Sequence, residues 1–130
     1  ILTSFSMTEK IHSFTGLKTW QEGHTLVLKI YEVTTEFPKE EQYCLVQQLR
    51  RAAVSITSNI AEGFSKASSK EKLQFYRTAL ASLTEVQNQL LISRDIGYMQ
   101  EATFEPIAAQ TVLVSKLING LIKSIKSRTP

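Results

Sequence analysis

The chain has one cysteine, Cys44, in 130 residues, which excludes an intrachain disulfide and fits a reducing compartment. Histidine is nearly as scarce. His12 and His24 are the only two, too few for a zinc site and badly placed for a serine or cysteine triad. A di-iron bundle needs paired Glu-x-x-His motifs, and "EKIH" at 9–12 stands without a second. Glycine-rich phosphate loops and dinucleotide fingerprints are missing. The longest apolar stretches, such as "LVLKIY", are cut by charge, so none can span a bilayer. No basic segment followed by an apolar one opens the chain, so a secretory signal is not expected. These absences leave a cytoplasmic, non-enzymatic protein, without cofactor, metal or membrane partner, as the expectation. Cys44 itself reads as an inert thiol, buried or half-buried.

Glycine and proline are sparse and fall where helices need punctuation. Leu17, Trp20, Val27, Leu28 and Tyr31 share one face of a first helix over about 17–36. Pro38 interrupts it, and Glu40 and Glu41 suit the first turn of a second helix over about 40–63, closed by Gly63. Val46, Leu49, Ala53, Ile56 and Ile60 form its seam at steps of three and four. "SSKE" (68–71) is a capping box that opens a third helix over about 69–95. Leu73, Tyr76, Leu80, Leu83, Val86 and Leu90 point inward from it, and Gly97 stops it. A fourth helix over about 103–127 takes Pro106 in its first turn. Its seam is Ile107, Val114, Ile118, Leu121 and Ile125.

Short connections between long helices favour antiparallel neighbours, so the expected fold is all-α: an antiparallel up-down-up-down four-helix bundle over residues 14–127. Residues 1–13 read as a flexible N-terminal arm, with Met7 a candidate start and residues 1–6 an upstream extension. Two helices carry more apolar surface than a monomer needs. On the first, a second row comprises Leu26, Ile30, Val33 and Phe37. On the fourth there are adjacent pairs, Leu113/Val114, Leu117/Ile118 and Leu121/Ile122. The surplus predicts a homo-oligomer that meets its copies through these two helices, or else a wide core-facing arc within one subunit.

Charge is unevenly spread. Residues 106–130 contain Lys116, Lys123, Lys126 and Arg128 and no acid, so the whole net charge of +3 traces to the last segment. Such a segment suits an anionic partner, or simply complements the C-terminal end of a helix dipole. The polar set in "RRAAVSITSNIAEGF" (50–64) raises a second question. Ser55, Ser58, Asn59 and Glu62 fall on one side of the second helix and flank its seam. Buried without partners, such groups would cost several kcal/mol. Ser82 and Glu85 on the third helix, or Arg50 and Arg51 a turn or more back, are the candidate partners. The set is either a packing network that fixes register or part of a ligand or nucleic-acid contact.

Trp20, the Phe37-Pro38 turn, Gln48-Leu49-Arg50-Arg51-Ala52, Ser58-Asn59-Ile60-Ala61-Glu62-Gly63 and Ser82-Leu83 with Glu85 carry a resemblance. With these residues the chain resembles, over about 14–125, the bacterial four-helix-bundle proteins associated with 23S ribosomal RNA intervening sequences. A related branch is the accessory variability proteins of diversity-generating retroelements, basic proteins associated with nucleic acid and reverse transcriptase. The resemblance implies a ring-like homopentamer with no established enzymatic activity. Where this chain reads Ala79-Leu80-Ala81-Ser82-Leu83, relatives often place an arginine, so one phosphate contact is missing here.

The resulting expectation is a self-assembling bundle that binds RNA or a ribonucleoprotein. Arg50, Arg51, Lys116, Lys123, Lys126 and Arg128 would be its contacts, and Ser55, Ser58, Asn59, Glu62, Ser82 and Glu85 its packing network. The alternative is a protein–protein scaffold that binds no nucleic acid.

Overall fold

A computed structural model describes residues 14–128; the N-terminal arm expected over 1–13, with Met7 and His12, lies outside them. Four α-helices follow one another: α1 Lys18–Thr34, α2 Leu45–Ser65, α3 Ser69–Asp95 and α4 Glu101–Arg128. Each packs on its sequence neighbours, α1 closes the ring on α4, and the backbones of the diagonal pairs stay apart. This is the up-down-up-down bundle. The α2–α3 pairing shows the direction directly: Ser55 faces Ser82 and Gln48 faces Gln89, so a step back on one helix is a step forward on the other.

The core is built from the expected seams of α2, α3 and α4, with Leu49, Ala53, Ile56, Ile60, Val86, Val114 and Ile118 at 0% exposure. On α1 the expectation holds in part: Val27 is buried and Leu17 and Trp20 pack against the core, but the rest of the buried face lies elsewhere. Leu26 and Ile30, from the row assigned to other subunits, are fully buried, and Phe37 is buried beyond the helix end. Leu28 and Tyr31, expected inside, are 57% and 40% exposed. The reason is that α1 must serve both α2 and α4, and its buried arc runs through Thr19, Gly23, Leu26, Ile30 and Thr34. Gly23 sits in that arc because a Cβ there would meet Thr57 Cγ2 of α2 at 3.1 Å.

The second helix starts later than its sequence suggests. Lys39–Glu41 form a single 3-10 turn, and α2 begins only at Leu45. Glu41 explains the delay. Its Oε1 accepts the Leu45 N–H at 3.3 Å, and its Oε2 accepts the Tyr98 hydroxyl at 2.8 Å. A side chain serving both as cap and as a tie to the α3–α4 turn stands outside the helix it caps. That hydrogen bond, more than desolvation, holds the Tyr98 phenol above its ordinary range. Cys44 lies at this junction and is exposed rather than buried.

Two glycine and proline assignments also change. Gly63 does not stop α2, which continues to Ser65. It is buried inside the helix, where a Cβ would approach Tyr76 Cε1 to 2.7 Å. Its role is close approach between α2 and α3. Pro106 lies in the second turn of α4, since that helix begins at Glu101. The exposed position of both Pro106 and Ala102 lets water satisfy the carbonyl that proline cannot serve. The capping serine behaves as expected: Ser68 Oγ accepts the Glu71 N–H and donates to Glu71 Oε1, both at 3.1 Å. Gly97, at φ +88°, closes α3 in the left-handed region.

Candidate nucleic-acid interface

The structure separates the six expected contact residues, two near one end of the bundle, three at the other, and Lys116 midway along α4. Arg50 and Arg51 lie in the second turn of α2, whereas Lys123, Lys126 and Arg128 end α4 beside the α2–α3 turn. Fifteen residues of helix separate Arg50 from Ser65, which is roughly 22 Å along the axis.

At the first end, Arg50 is locked onto α1. Thr34 Oγ1 donates to Ile30 O at 2.7 Å and accepts from Arg50 Nε at 2.9 Å. Arg50 Nη2 donates to Tyr31 O at 3.2 Å, and the guanidinium carbon stands 4.5 Å from the centre of the Tyr31 ring. The cation thus meets carbonyls at the negative end of the α1 dipole while stacking on an aromatic face. A guanidinium has more N–H groups than these two bonds use, so part of its donor set remains for another acceptor.

Around Arg50 the 3-10 turn and the start of α2 form two adjoining concavities. One, of about 390 Å³, is lined by Tyr31, Gln42, Tyr43, Val46, Gln47, Arg50 and Arg51. The other, of about 330 Å³, shares Gln42, Val46 and Arg50 and adds Lys39 and Thr34 among its walls. No aspartate or glutamate lines either one. Tyr43 is 80% exposed. Arg51 is exposed and makes no hydrogen bond or ion pair among the described residues. This juxtaposition of tyrosines with cations was not foreseen from sequence. Tyr31 was assigned to the core, and Tyr43 lies in what looked like a helix start.

At the second end, Lys123, Lys126 and Arg128 are exposed, as is Lys116 midway along α4, and none forms an ion pair among the described residues. The fold brings Lys66 and Lys72 to the same end. Lys72 Nζ donates to Phe64 O at 2.8 Å and Gly63 O at 3.3 Å, capping the carbonyls that end α2. Desolvation first, and then the nearby Arg128 charge, push the Lys72 ammonium below its ordinary range. Burial raises the Tyr76 phenol, and Arg128 opposes that shift.

The polar set on α2 also divides. Ser55 Oγ and Ser82 Oγ share a hydrogen bond of 2.8 Å across the α2–α3 interface. Asn59 Nδ2 donates to Ser55 O at 2.8 Å and Ser55 Oγ at 3.1 Å. Ser58 and Glu62 face solvent, and their side chains join no hydrogen bond among the described residues. Glu85 is exposed and belongs to a second cluster, accepting from Gln89 Nε2 at 3.3 Å. The same amide donates to Gln48 Oε1 at 3.3 Å, while buried Gln89 Oε1 has no partner among the described residues. Arg50 and Arg51 take no part in either cluster.

Among the described residues no group of histidine, cysteine, aspartate and glutamate is placed to hold a metal ion, and no helix is long and apolar enough to cross a membrane. His24 stacks on Trp20, ring centres 4.7 Å apart.

Comparison with known proteins gives a family and a fold. The model of the 23S rRNA-intervening sequence protein family matches residues 15–120. A crystal structure of a protein of unknown function from Bacteroides thetaiotaomicron, from the S23 ribosomal protein family, superposes with a TM-score of 0.75. It is 20% identical, and the match covers 81% of this chain and 95% of that one. No curated protein matches the sequence.

Proposed function

Because the chain belongs to the 23S rRNA-intervening sequence protein family, we propose that it is a non-enzymatic, self-assembling bundle that binds RNA through its exposed cations. The observation that carries this reading is the idle positive charge. The described residues contain two ion pairs, Lys18–Glu22 and Arg94–Asp95. Neither involves Arg51, Lys116, Lys123, Lys126 or Arg128, which stay exposed. Cations left unpaired on a surface form the electrostatic footprint of a polyanion. Assembly multiplies each footprint by symmetry.

RNA binding is tested by fluorescence anisotropy of a structured RNA across a salt series. Affinity should fall steeply with salt, since neutralised phosphates release counterions. Replacing Lys123, Lys126 and Arg128 together with Gln should lower the low-salt affinity about ten-fold or more and flatten the slope by about two to three. The helical circular-dichroism signal should not change, because all three side chains are exposed. No binding at low salt would overturn the reading in favour of a protein–protein scaffold. Either reading needs a protein-contact surface, and an apolar groove of about 240 Å³ between α3 and α4, walled by Leu90, Leu91, Phe104 and Val112, is suited to it.

A further inference from the structure

The two ends of the bundle are chemically different: the α4 end is basic, whereas the α1–α2 end mixes Lys39, Arg50 and Arg51 with Glu36, Glu40 and Glu41. The α4 end offers lysines and an arginine beside helix carbonyls already capped by Lys72. The α1–α2 end offers a concavity with aromatic rings in its walls. From this difference we infer that the Tyr31–Tyr43–Arg50–Arg51 concavity takes an unpaired nucleotide, so that this end prefers single-stranded RNA to duplex. The inference rests on the reading that the chain binds RNA, and it adds which form of RNA and at which residues.

Four features lead there. The first is charge: Lys39, Arg50 and Arg51 line the two adjoining concavities and no acid does, so the charges that a phosphate meets in the walls are positive. The second is an exposed aromatic ring. Tyr43, at 80% exposure, contributes little to the core. A solvent-facing tyrosine beside arginines is the arrangement on which bases stack irrespective of sequence. The third is preorganisation. The Arg50 guanidinium is fixed by Thr34 and Tyr31 and presses on the Tyr31 ring, so one wall is already rigid. The fourth is size and polarity: about 390 Å³ lies within the range of small-molecule sites, and Gln42 and Gln47 supply amides that both donate and accept.

These features select against duplex. In an A-form helix the base faces are stacked on one another and the major groove is too deep and narrow for side chains. A tyrosine ring can reach a base face only where the strand is unpaired, as in a loop, bulge or end. In the bound form, the Tyr43 ring stacks on the base, Arg51 and Lys39 take the flanking phosphates, and Gln42 and Gln47 meet the base edge.

The test compares one fluorescein-labelled RNA of about twelve nucleotides, without self-complementarity, with its duplex on the unlabelled complement. Anisotropy titrations at low salt should give tighter binding of the single strand. Tyr43→Ala should weaken the single strand about ten-fold, the range expected for one lost base stack, and leave duplex binding unchanged. Tyr43→Phe keeps the ring and should restore most of the loss. Arg51→Gln should reduce the salt slope for the single strand by about one.

Single-strand affinity that is unchanged in Tyr43→Ala, with RNA still bound, would overturn this inference and leave the RNA reading standing. Failure of both RNA forms to bind at low salt would overturn both. Sedimentation of the Tyr43→Ala protein supplies the last check: a change in assembly mass would mean that a second copy of the chain covers the concavity, and would overturn the assignment to RNA.

Discussion

At the scale of single residues, the polar side chains between α2 and α3 differ in how much depends on them. Ser82 is 9% exposed and shares its hydrogen bond with Ser55. Ser55→Ala removes that partner from a buried hydroxyl and should cost about 1 kcal/mol, the usual penalty for an orphaned group. Ser55→Ala combined with Ser82→Ala removes both polar groups together and should be nearly neutral. A double-mutant cycle on denaturant midpoints measures the coupling, and strictly additive losses would show that the two hydroxyls act independently. Asn59 is less critical than its motif suggests, because both its hydrogen bonds return to Ser55 on its own helix. Gln89 differs again: it is buried with one oxygen unmatched, next to the exposed side chains of Gln48 and Glu85.

At the scale of elements, the α2–α3 pair is the most tightly specified contact, and Gly63 shows how. The glycine has no unusual backbone conformation; the only positive φ among the described residues belongs to Gly97. What matters is the missing side chain, since Tyr76 Cε1, Tyr76 Cδ1 and Phe75 Cβ would lie 2.7, 2.9 and 3.1 Å from an added Cβ. Gly63→Ala therefore sets two effects against each other. Better helix propensity contributes up to about 1 kcal/mol, and overpacking costs about 1–3 kcal/mol. Overpacking should win, because Tyr76 is 2% exposed and has nowhere to move. The melting temperature at fixed protein concentration should fall by several degrees; a rise would show that the two helices can separate without loss.

The seam positions of α2, α3 and α4 were legible as periodicity, and α1 only in part, through Leu17, Trp20 and Val27. Its two apolar rows are adjacent, so the pattern alone does not say which one faces inward. The late start of α2 was equally hidden. Glu41 reads as a first-turn glutamate until its contact with Tyr98, far along the chain, is known.

At the scale of the whole molecule, the apolar surface left over on α1 is not the one the sequence suggested, whereas Leu113 on α4 is exposed as expected. The row Leu26, Ile30 and Phe37 is used inside the subunit. The remaining exposed apolar side chains include Leu28 on α1, Leu91, Ile92 and Ile96 on α3, and Val112 and Leu113 on α4. Leu91 and Val112 share the groove between α3 and α4. Self-assembly should therefore bury this groove. Leu91→Glu with Val112→Glu should shift sedimentation to a smaller species while helix content stays constant, since the two side chains are 43% and 47% exposed in the single subunit. An unchanged mass in the double variant would place the subunit contact elsewhere.

By itself the sequence determined the number of helices, most of three seams, the capping serine, the lack of metal-ligand spacing and the surplus of positive charge toward the C-terminal end. These follow from local periodicity and composition, which act over a few residues. Tertiary structure alone decided which part of α1 is buried, that Gly63 is a point of contact rather than a stop, and that Arg50 and Arg51 stand at the opposite end from Lys123, Lys126 and Arg128. It also placed Tyr31 and Tyr43 beside Arg50 and Arg51. Each of these depends on how helices lie against one another, and residues from different elements meet only once the core has chosen its packing.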